Sequence, residues 1–268
     1  MRKENYTWLF VPAIEKYIKK IPLLRADVLI LDLEDSLAPS QKTEGLHNIV
    51  NILKKNDQQK RIYIRINKSE QMTEELRVLS PYTFAGYMIP KFEETGEMNP
   101  YKSLIEGKEI IALVESIKGV VHLEQIAADP LVNKLAFGGE DYCKELGLQA
   151  GAEATVYARN KLVLYAAYNQ KDSLDTISFE TKDMDAFLEE YVMSIKMGFT
   201  SKLLIHPAQA EMVDRYKNNI NKEYLQHIVS EYKKSGEGLV RIDGKWYEKP
   251  HIDKIITYLE RMRGKEIL

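Results

Sequence analysis

The sequence has a single cysteine, Cys143, in 268 residues. An internal disulfide and a thiolate metal cage are therefore excluded, since each needs at least two thiols. No histidine stands near Cys143 in sequence, so the thiol reads as buried packing rather than as half of a Cys–His nucleophile. Long apolar runs are also missing: nothing approaches the roughly 20 residues of a membrane span. The first 17 residues carry charge on both sides of a short apolar core, without a small-residue cleavage site, and the expectation is a soluble cytoplasmic protein. Charge of one sign is lacking too. The 38 basic and 40 acidic residues leave a net charge of −2, which offers no electrostatic footprint for nucleic acid or an anionic membrane. No G-x-G-x-x-G follows a predicted strand, which argues against a dinucleotide-binding sheet. These absences leave a small-molecule partner.

What is present is a repeated alternation. Short Val-, Ile- and Leu-rich runs occur at 8–12, 27–35, 61–67, 86–91, 109–116, 134–141, 174–178 and 202–207. They are mostly continuous rather than alternating, as strands buried on both faces must be. Helical patterns lie between them. One has Leu46, Ile49, Val50 and Leu53 on one face; another starts at a capping Asp183 and stops at Gly198. Eight strand–helix units predict an α/β fold, a (β/α)8 TIM barrel over residues 1–210. Residues 211–268 exceed what a barrel needs. They read as helices, a short hairpin around Asp243 and Gly244, and a last helix from about Asp253 to Arg263, forming an extension of the same domain.

In a parallel barrel all strand C-termini emerge on one rim, so their residues converge. The predicted ends supply Glu34, Asp35, Arg65, Asn67, Lys91, Glu115, Glu140, Asp141 and His206. Singly, each is a charge where the chain meets water; together they mix carboxylates with cations in one place. Glu115 and Asp141 end neighbouring strands, and two carboxylates without Cys or clustered His suit a hard cation, Mg²⁺ first and Mn²⁺ second. Gly138 and Gly139 would leave room for a substrate against the backbone. Arg65 has the planar fork that takes a carboxylate in two parallel bonds. A metal beside an arginine describes an α-keto acid site, able to polarise a carbonyl and to support aldol or Claisen chemistry.

The ordered blocks LFVP, DVLILDLEDSLAPSQK, RIN, PK, ALVES, FGGEDYCKELG, ARNKLVLYAA, LDT, GFTSKLLIHPAQ and DGKWYEKPH resemble the citrate lyase β-subunit-like branch of the HpcH/HpaI aldolase superfamily. The resemblance runs nearly end to end. It implies a barrel that oligomerises as a trimer or hexamer, with Mg²⁺ on Glu115 and Asp141. It also implies substrate contact through Arg65, and Glu34 and Asp35 bordering the metal. The implied activity is cleavage or formation of carbon–carbon bonds in hydroxyacyl-CoA thioesters such as citryl-, malyl- or citramalyl-CoA. Some members take a catalytic Asp from a neighbouring subunit's C-terminal segment, and Glu248 occupies that place here as acid/base.

The chain departs from the family pattern at its N-terminus. Tyr6 and Thr7 precede WLFVP where an Arg-Ser is usual, Ala13 replaces a Gly, and Gly45 and Leu46 stand where Ala-Arg is common. The anion-binding surroundings are thinned while the metal pair is kept. Lys42, Lys91 and Arg159 remain as candidates for a phosphate. The pattern leaves open a hydroxy or keto acid without CoA, a thioesterase, and a non-catalytic metal- and metabolite-binding or assembly subunit.

Overall fold

The computed structural model describes residues 6–55, 60–149, 152–218 and 222–264. Eight parallel strands close into one barrel: β1 Trp8–Pro12, β2 Val28–Asp32, β3 Arg61–Arg65, β4 Gly86–Ile89, β5 Glu109–Val114, β6 Lys134–Phe137, β7 Asp172–Asp175 and β8 Ser201–Leu204. Each pairs with its sequence neighbour, and β8 returns to β1 through Trp8 opposite Leu203. The continuous apolar runs are explained by two buried faces. Trp8, Val28, Ile30, Tyr63, Met88 and Ile111 are among the residues that fill the lumen. Their strand neighbours Leu29, Leu31, Ile62 and Ile64 are equally buried on the outer face.

Apart from β1, the strands are shorter than the runs read from sequence or shifted against them, two of them with consequences for the site. The run 27–35 leaves the sheet after Asp32, so Glu34 and Asp35 belong to the loop that follows. The seventh strand is Asp172–Asp175 rather than 174–178, because polar Asp172 and Ser173 carry the ladder while the apolar Ile177 lies beyond it. The helix Met184–Met197 is capped by the Asp183 carboxylate, which accepts the Asp185 and Ala186 N–H groups.

The chain divides into two compact units, residues 1–213 and 214–268. In the second, the helix Lys222–Ser235, the antiparallel hairpin β9 (Leu239–Ile242) and β10 (Lys245–Glu248), and the helix Lys249–Gly264 share a small core of Ile228, Ile242 and Ile252. The hairpin turns at Asp243 and Gly244, whose φ values of 47° and 81° are the left-handed pair that a tight two-residue turn requires. The final helix starts at Lys249, earlier than the sequence suggested, since Pro250 is well tolerated in a first helical turn.

Candidate active site

The register of β2 against β3 sets Asp32 directly opposite Arg65 at the C-terminal ends of both strands. Arg65 Nε donates to Asp32 Oδ1 at 2.7 Å and Nη2 to Oδ2 at 2.8 Å. The guanidinium also lies 4.9 Å from the Phe10 ring. Burial pushes the Asp32 carboxyl upward, but the Arg65 charge and bonds, with those from Ser36 and the Glu34 N–H, outweigh it and hold Asp32 below its ordinary range. The fork expected to grasp a substrate is therefore occupied on one edge by Asp32. Only Nη1 faces the other carboxylates, at 3.2 Å from Glu34 Oε2 and 3.6 Å from Asp35 Oδ2.

Those carboxylates are poorly compensated. Glu34 Oε2 is buried without a hydrogen bond. Burial first, and then the charges of Asp35 and Asp32, raise the Glu34 carboxyl to about 7 against the pull of Arg65 and Lys91. Burial again, reinforced by Glu34 and Asp141, raises Glu115 to about 8, although the Lys91 N–H and Arg65 oppose it. Glu115 ends β5, and its Oε1 accepts the Lys91 N–H at 2.8 Å. Lys91 is aimed there by a left-handed backbone, φ 47°, a conformation that costs about 1–3 kcal/mol in a non-glycine residue.

Gly138 has a close neighbour in Glu115. A Cβ at Gly138 would sit 2.5 Å from Glu115 Cβ and Oε2, so the glycine makes room for the Glu115 carboxylate rather than for substrate alone. Gly139 donates its N–H to Thr176 Oγ1 at 2.9 Å. This bond ties the start of the helix Gly139–Glu145, which carries Glu140 and Asp141, to the segment after β7. Lys91 Nζ lies 3.9 Å from Asp141 Oδ2.

A cavity of about 410 Å³ collects several of these groups, with Glu34 and Lys91 outside its lining. Arg65, Asp35, Glu115, Glu140 and Asp141 line it with Gly138 and Gly139, over apolar side chains that include Phe10, Leu113 and Phe137. His206, a predicted binding residue, is not in that lining. It is exposed, and its Nδ1 accepts the Ala208 N–H at 3.2 Å. Lys42 is likewise removed as a phosphate candidate, because its Nζ donates to Leu33 O, Glu34 O and Asn67 Oδ1. Arg159 is held by Asp175. Asn67 donates to Glu75 and to Leu33 O, bracing the loop from behind. Glu248 lies exposed on β10 in the second unit, its N–H donating to His251 Nδ1 at 3.4 Å.

Sequence reasoning missed Asp32 and Thr176. Asp32 interrupts an apolar run between Leu31 and Leu33, the one signal that a carboxylate there is buried and partnered. Thr176 gave no signal, because its importance lies in a contact across 37 residues of chain.

The donor set fits a hard divalent cation. Glu115 and Asp141 both face the cavity, and burial, with Glu34 and Asp141 nearby, raises the Glu115 carboxyl so that its charged form calls for a cation beyond those the chain supplies. No group of three or more His, Cys, Asp or Glu gathers for a metal among the described residues. Two carboxylates with water are the complement that Mg²⁺ accepts, since it dehydrates reluctantly.

A closed parallel barrel with buried carboxylates and an arginine around a rim cavity defines a (β/α)8 barrel protein with a polar site at the C-terminal ends of its strands. The profile of the HpcH/HpaI aldolase/citrate lyase family matches residues 7–207, and the chain belongs to that family. The human mitochondrial citramalyl-CoA lyase is 27% identical over 274 residues, covering 90% of this chain and 81% of the relative. A citrate lyase subunit beta-like protein of Mycobacterium tuberculosis is 27% identical, covering 97% of each chain. The solved citrate lyase beta subunit of M. tuberculosis, complexed with oxaloacetate and magnesium, matches with a TM-score of 0.71 and 26% identity, over 80% of this chain and 97% of that one. No helix among the described residues is long and apolar enough to cross a membrane.

Proposed function

We propose that this chain is a magnesium-dependent carbon–carbon lyase acting on a hydroxyacyl-CoA thioester or a related hydroxy or keto acid. The reading is supported above all by Glu115, Asp141 and Arg65 lining one rim cavity, with Glu34 Oε2 3.2 Å from Arg65 Nη1. Glu115 and Asp141 would hold Mg²⁺, which when bound supplies a Lewis acid for a substrate carbonyl. Arg65 Nη1, kept in plane by Asp32, donates to a substrate oxygen. Glu34, its carboxyl raised to about 7, is placed to hold or release a proton at Oε2, which has the Arg65 charge beside it but no hydrogen bond. Phe10, Leu113 and Phe137 exclude water beneath the reacting carbon. Glu248, delivered by the second unit of a neighbouring copy in a homo-oligomer, provides the outer acid/base group.

The test is a mass-spectrometric turnover screen with Mg²⁺, offering α-keto acids with and without acetyl-CoA or propionyl-CoA, and a set of hydroxyacyl-CoA thioesters. Turnover by wild type that disappears in Glu115→Gln is the expected result. Binding of an α-keto acid with Mg²⁺ but no turnover of any substrate would replace this reading with that of a non-catalytic metabolite-binding subunit. Hydrolysed thioester without carbon–carbon cleavage would make it a thioesterase.

A further inference from the structure

A second cavity, also about 410 Å³, opens beside β7 and β8. Thr176, Ile177 and Phe179 line both cavities and form the wall between them. The second cavity has a polarity of its own. Its deep end is made by Arg159 and Lys202, with side chains 8% and 2% exposed, while Glu189 and Glu190 stand exposed on the helix Met184–Met197.

The deep end contains an acceptor that is already full and a donor that is not. Asp175, wholly buried, accepts Arg159 Nε on Oδ1 at 2.9 Å, and Arg159 Nη2 and the Ser194 hydroxyl on Oδ2. Lys202 stands opposite Asp175 in the β7–β8 register, yet its Nζ is 3.6 Å from Asp175 Oδ2 and 3.8 Å from Glu190 Oε2. Both distances are ion pairs rather than hydrogen bonds. Burial holds the Lys202 ammonium below its ordinary range against the attraction of Asp175 and Glu190. A buried ammonium facing open space is costly unless an acceptor reaches it. Ile177, Phe179 and Met193 supply an apolar stretch of the wall, beside Thr155, Thr176 and Ser178.

We propose that this cavity is a second binding site, for a small monocarboxylic acid whose head accepts hydrogen bonds from Lys202 and whose apolar body lies along Ile177, Phe179 and Met193. One carboxylate is specified rather than two, because Glu140, Glu189 and Glu190 also line the cavity and oppose a second negative charge. The site adjoins the rim cavity across a shared wall that also includes Gly139 and Glu140, and it needs no metal.

Butyrate is the probe, titrated calorimetrically into the full-length protein without metal. Saturable binding by wild type and by Glu115→Gln is expected, with succinate weaker than butyrate. Lys202→Met should weaken butyrate by about tenfold or more, the loss expected for a charge-assisted hydrogen bond. Should that variant not fold, Met193→Trp fills the cavity from an exposed helix position and should abolish binding with the fold unchanged. Absence of saturable binding by wild type overturns the proposal. Undiminished binding by either folded variant, or a loss confined to Glu115→Gln, overturns it equally.

Discussion

The two ends of the barrel treat the same residue type in opposite ways. At the N-terminal ends of the strands, Glu109 meets Arg61 Nη2 at 2.5 Å, the Tyr63 hydroxyl at 2.6 Å and Lys134 Nζ at 2.5 Å. Burial works against its charge, but Lys134, Tyr63 and Arg61 prevail and lower its carboxyl. At the C-terminal end, directly after the same strand, Glu115 is driven up to about 8. Residues 110–114 thus separate a finished ion cluster from an unfinished one. The finished end stabilises the barrel; at the unfinished end the chain's own partners do not offset the burial of Glu115.

The largest expected effect comes from completing the wrong end by mutation. Glu115→Gln should lower turnover about a thousandfold, of the order seen when a central electrostatic group is removed. It should also abolish high-affinity Mg²⁺ binding in calorimetry while leaving the metal-free protein at least as stable at neutral pH. A large loss of stability would mean that Glu115 is a structural group like Glu109.

Asp32→Asn attacks the compensated pair beside the cavity. It leaves the Arg65 guanidinium buried with weaker partners and should cost about 3–5 kcal/mol in urea unfolding, with turnover falling as Arg65 loses its orientation.

The contrast also has a pH signature. The folded carboxyls of Glu34 and Glu115 sit at about 7 and about 8, above their ordinary value of 4.5. Between those limits the folded metal-free chain binds more protons than the unfolded one. Their contribution to stability is therefore complete below 4.5 and is lost as pH rises through about 8. Glu109, lowered, acts in the other direction: its contribution is present above its ordinary range and disappears as acid protonates it. Urea unfolding across pH without metal should show the alkaline decline, and Glu115→Gln should flatten it. A slope unchanged in that variant would break the comparison.

Glu109→Gln should cost about 2 kcal/mol, between a single charged hydrogen bond and a fully buried pair, with kcat and KM nearly unchanged. The smallest effect is assigned to Thr176→Val, which removes the acceptor for the Gly139 N–H without changing shape. Mg²⁺ affinity should fall about tenfold through the displaced Asp141 helix, read by metal titration, while kcat at saturating metal recovers.

The sequence by itself determined the alternation of doubly buried strands with amphipathic helices, which an open sheet and a barrel share; the pairing of β8 with β1 decided closure. The sequence also brought Glu115, Asp141, Arg65 and Glu34 to one rim, since residues at strand ends need only the topology to converge. Local pattern stops short of partners that are distant along the chain. Asp32 filling one edge of Arg65, Gly138 standing aside for Glu115, Thr176 holding the Asp141 helix and Asp175 saturated beside an under-bonded Lys202 were decided by strand register and side-chain reach. The departures of His206 and Lys42 from the site have the same cause: each had a nearer backbone partner than the cavity. A strand end tells where a side chain starts, and only the packed structure fixes what it is already holding.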